Sequence, residues 1–233
     1  MRHLNRLLLL FLLVLLPQYV HCEEIHFVSR EQVDLSNLLS PPPALDSQQQ
    51  HQEIDELLAF QKNRTPAMEA FARADADRTV FRFADVIGNN FTAEKLPQAK
   101  AFFNMVRENA DYILGPTKEH WNRPRPYVAD TDIHPCVPKP GSASYPSGHS
   151  TFGTVTSIIL ANMIPEKQKQ IYDRAELYRR NREIGGVHYP SDVEAGRIAG
   201  TVVAAFLFQN PAFQEEFAKA RVEVREALGL PVK

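Results

Sequence analysis

The fold class this sequence predicts is all-α, a compact helical bundle. Three observations carry it. Apolar residues recur at helical spacing, as in Phe152, Val155, Ile159 and Met163; no convincing stretch alternates apolar with polar residues as a half-buried strand would; and Pro and Gly residues punctuate the chain between helix-length segments. A chain of 233 residues suits one substantial domain. Its 44% hydrophobic and 23% charged residues are ordinary for a folded globule, and no long run of one charge sign points to a nucleic-acid polymer as partner.

Taken in order, Arg2 and Arg6 precede an apolar run from Leu7 to Leu16 and a short segment ending at Cys22, the layout of a secretory signal peptide over residues 1–22. The run falls well short of the roughly 20 residues a membrane helix needs. Cleavage after Cys22 is expected over a lipid anchor on that cysteine, because bulky His21 stands where such processing wants a small residue. Removing the segment takes two arginines, so 24 basic residues face 28 acidic ones and the mature charge is near −4. Cys136 alone remains, which rules out an intramolecular disulfide and leaves stability to the apolar core.

Residues 23–46, broken by Pro41, Pro42 and Pro43, read as an extended Pro-rich lead-in to a domain over 47–233. Asp46 or Ser47 caps a helix of about 48–62. Further helices fit about 67–87, opened by Thr65 and Pro66, and about 93–114, with Gly88, Asn89 and Asn90 as the break between them. A helix starting after Pro146 ends at Pro165. The next runs from about Glu166 to Ile184 with Ile171, Ala175, Tyr178 and Arg182 on one stripe, and stops at Gly185 and Gly186. Another, from near Ser191, is expected to carry Ile198, Val202, Ala205 and Phe208 inward; the last holds Phe213, Phe217, Ala220 and Val224.

Three clusters hold the chemistry. Lys118 precedes Arg125-Pro126 in a segment broken by two Arg-Pro pairs and read as a cationic loop. Pro146-Ser147-Gly148-His149 opens a helix, where unpaired amides bind oxyanions and Gly148 admits close approach. Arg182 precedes His188 and Asp192. Each has a plainer reading: solvated cations, a serine spent as helix cap, an aspartate serving a helix start. Together, three cations, two histidines and one carboxylate compose a site for phosphoryl transfer. A divalent metal on His149, His188 and Asp192 would meet repulsion of roughly 4 kcal/mol per unit-charge pair at 4 Å from those cations, whereas a phosphate dianion gains by the same arithmetic.

The spacing Lys118, six residues, Arg125-Pro126; then Pro146 to His149; then Arg182, five residues, His188, three residues, Asp192, resembles that of the bacterial class A nonspecific acid phosphatases. These share a superfamily with the type 2 phosphatidic acid phosphatases and the vanadium haloperoxidases. Asn181 departs from the pattern, which has Ser there. The resemblance implies that Lys118, Arg125, Arg182, Ser147 and the Gly148 amide bind phosphate. It further implies that His188 is the nucleophile, Asp192 orients it and His149 is the acid, with no metal or cofactor. It implies small phosphomonoesters as substrates; the signal peptide points to the periplasm, the segments from Thr151 to Ile164 and Ala195 to Phe208 are too short and too polar to span a membrane, and a helical domain with exposed aromatic patches is compatible with a homo-oligomer. A vanadate-dependent haloperoxidase and a non-catalytic phosphate-binding protein are the alternative functions.

Overall fold

The computed structural model describes residues 26–232, so the expected signal peptide lies outside the described residues. Ten α-helices and two short 3-10 turns, with no strand among the described residues, bear out the all-α expectation. The lead-in does more than extend: α1 (Leu35–Leu38) interrupts it, and Phe27, Val28, Val33 and Leu35 are buried in the main core. Asn109 Oδ1 accepts from Phe27 N at 2.6 Å and Asn210 Nδ2 donates to Phe27 O at 2.9 Å, so both backbone groups of a buried residue are satisfied.

Ser47 caps α2 (Gln48–Asn63) and Thr65 caps α3 (Pro66–Ala74), with proline at its start as the sequence indicates. The helix expected over 67–87 is broken. After Asp75 the chain leaves the helix, Thr79 caps a 3-10 turn at 80–83, and α4 (Ala84–Ile87) follows. Asp75 causes the break: its buried carboxylate accepts from Arg82, from both terminal nitrogens of Arg174 and from Asn181, partners that a continued helix would not meet together.

The next helix is longer than expected. α5 (Pro97–Trp121) runs through Pro116 and ends at Asn122, whose φ of 39° is the left-handed conformation Asn tolerates as a helix stop. Pro116 cannot donate to Tyr112 O, and Arg30 Nε takes that carbonyl at 3.1 Å instead. Lys118 therefore sits in the last helical turn and not in a loop.

After the single turn of α6 (Pro126–Ala129) come α7 (Gly148–Met163), α8 (Gln168–Ile184), α9 (Pro190–Leu207) and α10 (Pro211–Ala227). α7 is the central element, packed chiefly on α9 and α8 and buried almost all round. The α8 stripe is buried as expected. On α9 the inward face is different from the expected one. Ile198 and Ala205 are exposed, Val202 and Phe208 are half-buried against the core, and the fully buried positions include Gly196, Ala199, Gly200 and Val203. Small residues win because α9 lies so close to α7 that a Cβ on Gly196 would stand 2.5 Å from Ser147 O, and one on Gly200 2.6 Å from Thr151 O. No helix among the described residues is long and apolar enough to cross a membrane.

Candidate active site

The three sequence clusters converge at the start of α7. A cleft of about 350 Å³ is lined by Lys118, Arg125, Gly148, His149 and His188, together with Arg78, Asp111, Leu114, Gly115, Pro140 and Ser142. Arg182, Ser147 and Asp192 lie in the protein immediately around it, at most 1% exposed. They arrive from separate parts of the chain: Lys118 from the end of α5, Arg125 from the loop before α6, Gly148 and His149 from the first turn of α7, Arg182 from the end of α8, His188 from the bend just before α9 and Asp192 from the first turn of α9.

The two ring nitrogens of His188 face different partners. Nε2 is 2.8 Å from Arg125 Nη1, and Nδ1 is 3.3 Å from Asp192 Oδ2. A guanidinium can only donate, so Nε2 must present its lone pair and the proton belongs on Nδ1, toward the carboxylate. Burial, and then the charges of Arg125, Lys118, Arg182 and Arg123, push the His188 pKa well below the usual imidazole range. The ring stays neutral into acid, with Nε2 on the cleft side.

Asp192 performs both of the roles that the sequence left open. Its Oδ2 accepts from Tyr189 N at 2.9 Å, closing the first turn of α9, while the same oxygen faces His188. Two residues the sequence reading missed hold it there. Ser144 Oγ donates to Oδ2 at 2.5 Å and Arg123 Nη1 donates to Oδ1 at 2.7 Å. Arg123, read with the solvated cations of its loop, is 3% exposed; it stacks over the Tyr189 ring at 3.9 Å and is gripped from α2 by Gln50 and Glu53.

The cations differ in their bonding. Lys118 Nζ donates to Pro146 O at 2.6 Å and Ala143 O at 2.9 Å, and burial beside Arg125 brings its pKa down to about 7. Arg125 donates to Ser142 O and Val187 O as well as to His188. Arg182 is the least satisfied: it is 1% exposed, and its Nε and Nη1 have no hydrogen-bond partner among the described residues. An unsatisfied buried polar group costs about 1–3 kcal/mol, and more when charged. An oxyanion is the group those donors fit.

Arg182 is aimed by its neighbour in sequence. Asn181, the departure from the family pattern, donates from Nδ2 to Asp75 Oδ2 at 2.7 Å, tying the last turn of α8 to the break after α3. That break delivers Ala76 O, which His149 Nε2 meets at 3.0 Å. A carbonyl only accepts, so Nε2 carries a proton. Burial and then Arg182 push the His149 pKa well below the usual range. Ser147 Oγ accepts from Ser150 N at 3.3 Å, so the helix-cap reading holds for its lone pair, and its hydroxyl proton is left for another acceptor. Cys136 lies away from the cleft, half-buried, with burial raising its pKa.

A model of the PAP2 superfamily matches residues 101–215. The non-specific acid phosphatase of Salmonella typhimurium is 29% identical over 95% of this chain and 93% of its own length. The acid phosphatase of Zymomonas mobilis is 33% identical over 81% of this chain and 75% of its own, and the non-specific acid phosphatase of Providencia stuartii 30% identical over 86% and 85%. Among solved structures, a bacterial vanadium-dependent iodoperoxidase superposes with a TM-score of 0.57 at 18% identity, covering 73% of this chain and 52% of that one. A transmembrane PAP2-type phosphatidylglycerolphosphate phosphatase from Bacillus subtilis gives 0.50 at 21% identity over 78% and 91%. The last two are likenesses of fold.

Proposed function

The chain belongs to the PAP2 superfamily and is an acid phosphatase; from that premise we propose that it is an exported, metal-independent phosphomonoesterase that works through a phosphohistidine on His188. The observation that supports this reading most is the buried Arg182 guanidinium, whose Nε and Nη1 have no hydrogen-bond partner among the described residues, beside a cleft lined by two histidines. Lys118, Arg125 and Arg182 take the phosphate oxygens, and the Gly148 amide and the Ser147 hydroxyl complete the cradle.

In the first step His188 Nε2 attacks phosphorus. Arg125 Nη1, which occupies that lone pair in the free site, transfers its donation to a phosphate oxygen as the substrate enters. Asp192 accepts the hydrogen bond from Nδ1–H, which keeps its proton, and stabilises the positive charge that develops on the ring. The ester P–O bond breaks as His149 protonates the leaving oxygen. With Nε2–H donating to Ala76 O, the proton transferred is the one on Nδ1. His149 then accepts a proton from water, whose oxygen attacks the phosphohistidine; the P–N bond breaks and inorganic phosphate leaves. No step calls for a metal.

Export to the periplasm rests on Arg2, Arg6 and the Leu7 to Leu16 run. The phosphatase reading is tested with an aryl phosphomonoester in the presence of a chelator. Turnover should persist in the wild type and fall by at least about 10³-fold in His188→Ala, with phosphate binding partly retained. Vanadate should inhibit. Chelator-abolished hydrolysis, wild-type rates in His188→Ala, or peroxide-dependent bromination with vanadate would each overturn it.

A further inference from the structure

Beside the phosphate-binding cations the cleft carries a fourth one, Arg78, which stands in none of the three clusters. It comes from the break after α3. Its side chain is 22% exposed, Nη2 donates to Asp111 Oδ1 at 2.7 Å, and Nε is buried with no hydrogen-bond partner among the described residues. Its backbone carbonyl accepts from Arg107, and its guanidinium lies 5.7 Å from the centre of the Phe152 ring. Nη1 is 3.8 Å from where a Cβ on Gly148 would stand, which puts the fork at the mouth of the phosphate cradle.

Ala76, two residues before Arg78 in the same break, presents the carbonyl that His149 Nε2 meets at 3.0 Å, and the Phe152 ring facing the Arg78 guanidinium lies one turn beyond His149 on α7, so Arg78 stands on the His149 side of the cleft. Arg78 is thus on the side where the leaving group departs. Asp111 engages one of its N–H groups, and the others are donors in a fixed plane suited to a carboxylate or phosphate.

Resting on the phosphatase reading above, we propose that Arg78 binds a second anionic group on the leaving part of the substrate, so that phosphomonoesters carrying a carboxylate or another phosphate close to the ester oxygen are preferred over neutral ones. The chemistry is unaltered: the bond broken is the ester P–O bond and His149 still protonates the leaving oxygen. The second anion only fixes where that oxygen sits.

Two matched pairs test it: 2-phosphoglycolate against ethyl phosphate for a carboxylate, and ethylene glycol bisphosphate against 2-hydroxyethyl phosphate for a phosphate. The readout is the ratio of kcat/KM, anionic over neutral, within each pair. For a partly exposed charge-assisted contact, the wild-type ratio should be about tenfold in at least one pair. Arg78→Gln should bring it to about one. Arg78→Met, which keeps an apolar stem beside Phe152, should do the same, and either soluble variant decides. A wild-type ratio of one in both pairs overturns the proposal without any variant, and so does a ratio that survives the loss of the guanidinium. If the wild type hydrolyses none of the four esters, it is the phosphatase reading that fails.

Discussion

At the residue scale, the site sets two imidazoles the same electrostatic condition, whereas the proposed mechanism asks opposite things of them. Burial among cations keeps His188 neutral, which is what a nucleophile needs in acid. The same surroundings hold His149 neutral in the free enzyme, although an acid must carry a proton. A bound phosphate dianion reconciles the two by offsetting the cations. The sign follows: the protonated fraction of His149 falls as pH rises, and dianion binding moves that fall to higher pH. The descending limb of kcat should therefore lie at higher pH than that of kcat/KM, because the first reports the complex and the second the free enzyme. Lys118, whose pKa is about 7, adds to the decline of kcat/KM as it loses its charge above neutrality. Coincident limbs, or a rate climbing steadily into alkali, would contradict this assignment of acid and nucleophile. Residue types and spacing were enough to find these groups in the sequence. They were not enough to find Arg123 and Ser144, since nothing in an arginine or a serine says that its partner is a carboxylate about 70 or 48 positions away.

At the element scale, catalytic distances are set by helix packing. α7 and α9 are held together along a seam where Gly196 meets Ser147 O and Gly200 meets Thr151 O, so the helix that Ser147 caps and that carries His149 cannot drift from the one that carries Asp192 and begins two residues after His188. A methyl group at either glycine has backbone in its way and must push the helices apart. Overpacking of this kind costs about 1–3 kcal/mol. Gly196→Ala should lower Tm by roughly 2–12 °C, at about 2–4 °C per kcal/mol for a domain of this size, and should reduce kcat more than Gly200→Ala, which lies one turn farther from the site. Calorimetry with steady-state kinetics checks this, and equal loss of kcat in the two variants would count against the seam as the spacer. The α9 face was misread from sequence for the same reason: large apolar residues mark a buried stripe only where there is room for them, and here the buried stripe is the small one. The break after Ala74 was hidden by an Ala-rich, charge-alternating segment with good helix propensity, overridden by what the Asp75 carboxylate gains from Arg82, Arg174 and Asn181. The capped helix starts at Ser47 and Thr65 were legible because their signals are local.

At the scale of the whole molecule, the lead-in is part of the folded unit. Phe27 and Val28 are 5% and 0% exposed, and Phe27 meets Phe213 edge-on at 5.7 Å, so the start of the described chain closes on its last helix. Burying such side chains is worth about 1.5–3 kcal/mol each. Deleting residues 23–34 should lower Tm by several degrees or more even though no site residue is touched, and an unchanged Tm would show the segment to be dispensable. The chain carries a formal net charge of −2, so attraction for phosphate comes from local convergence and not from an overall positive charge. That convergence, and what His188 does within it, is the centre of the account. The direct measurement is to mix enzyme with an aryl phosphomonoester, quench in alkali during the first turnovers, and locate the bound phosphoryl group by mass spectrometry. The result expected is a phosphoryl group on His188. Phosphorylation of another residue, or unmodified enzyme after a burst of phenol equal to the enzyme concentration, would contradict it.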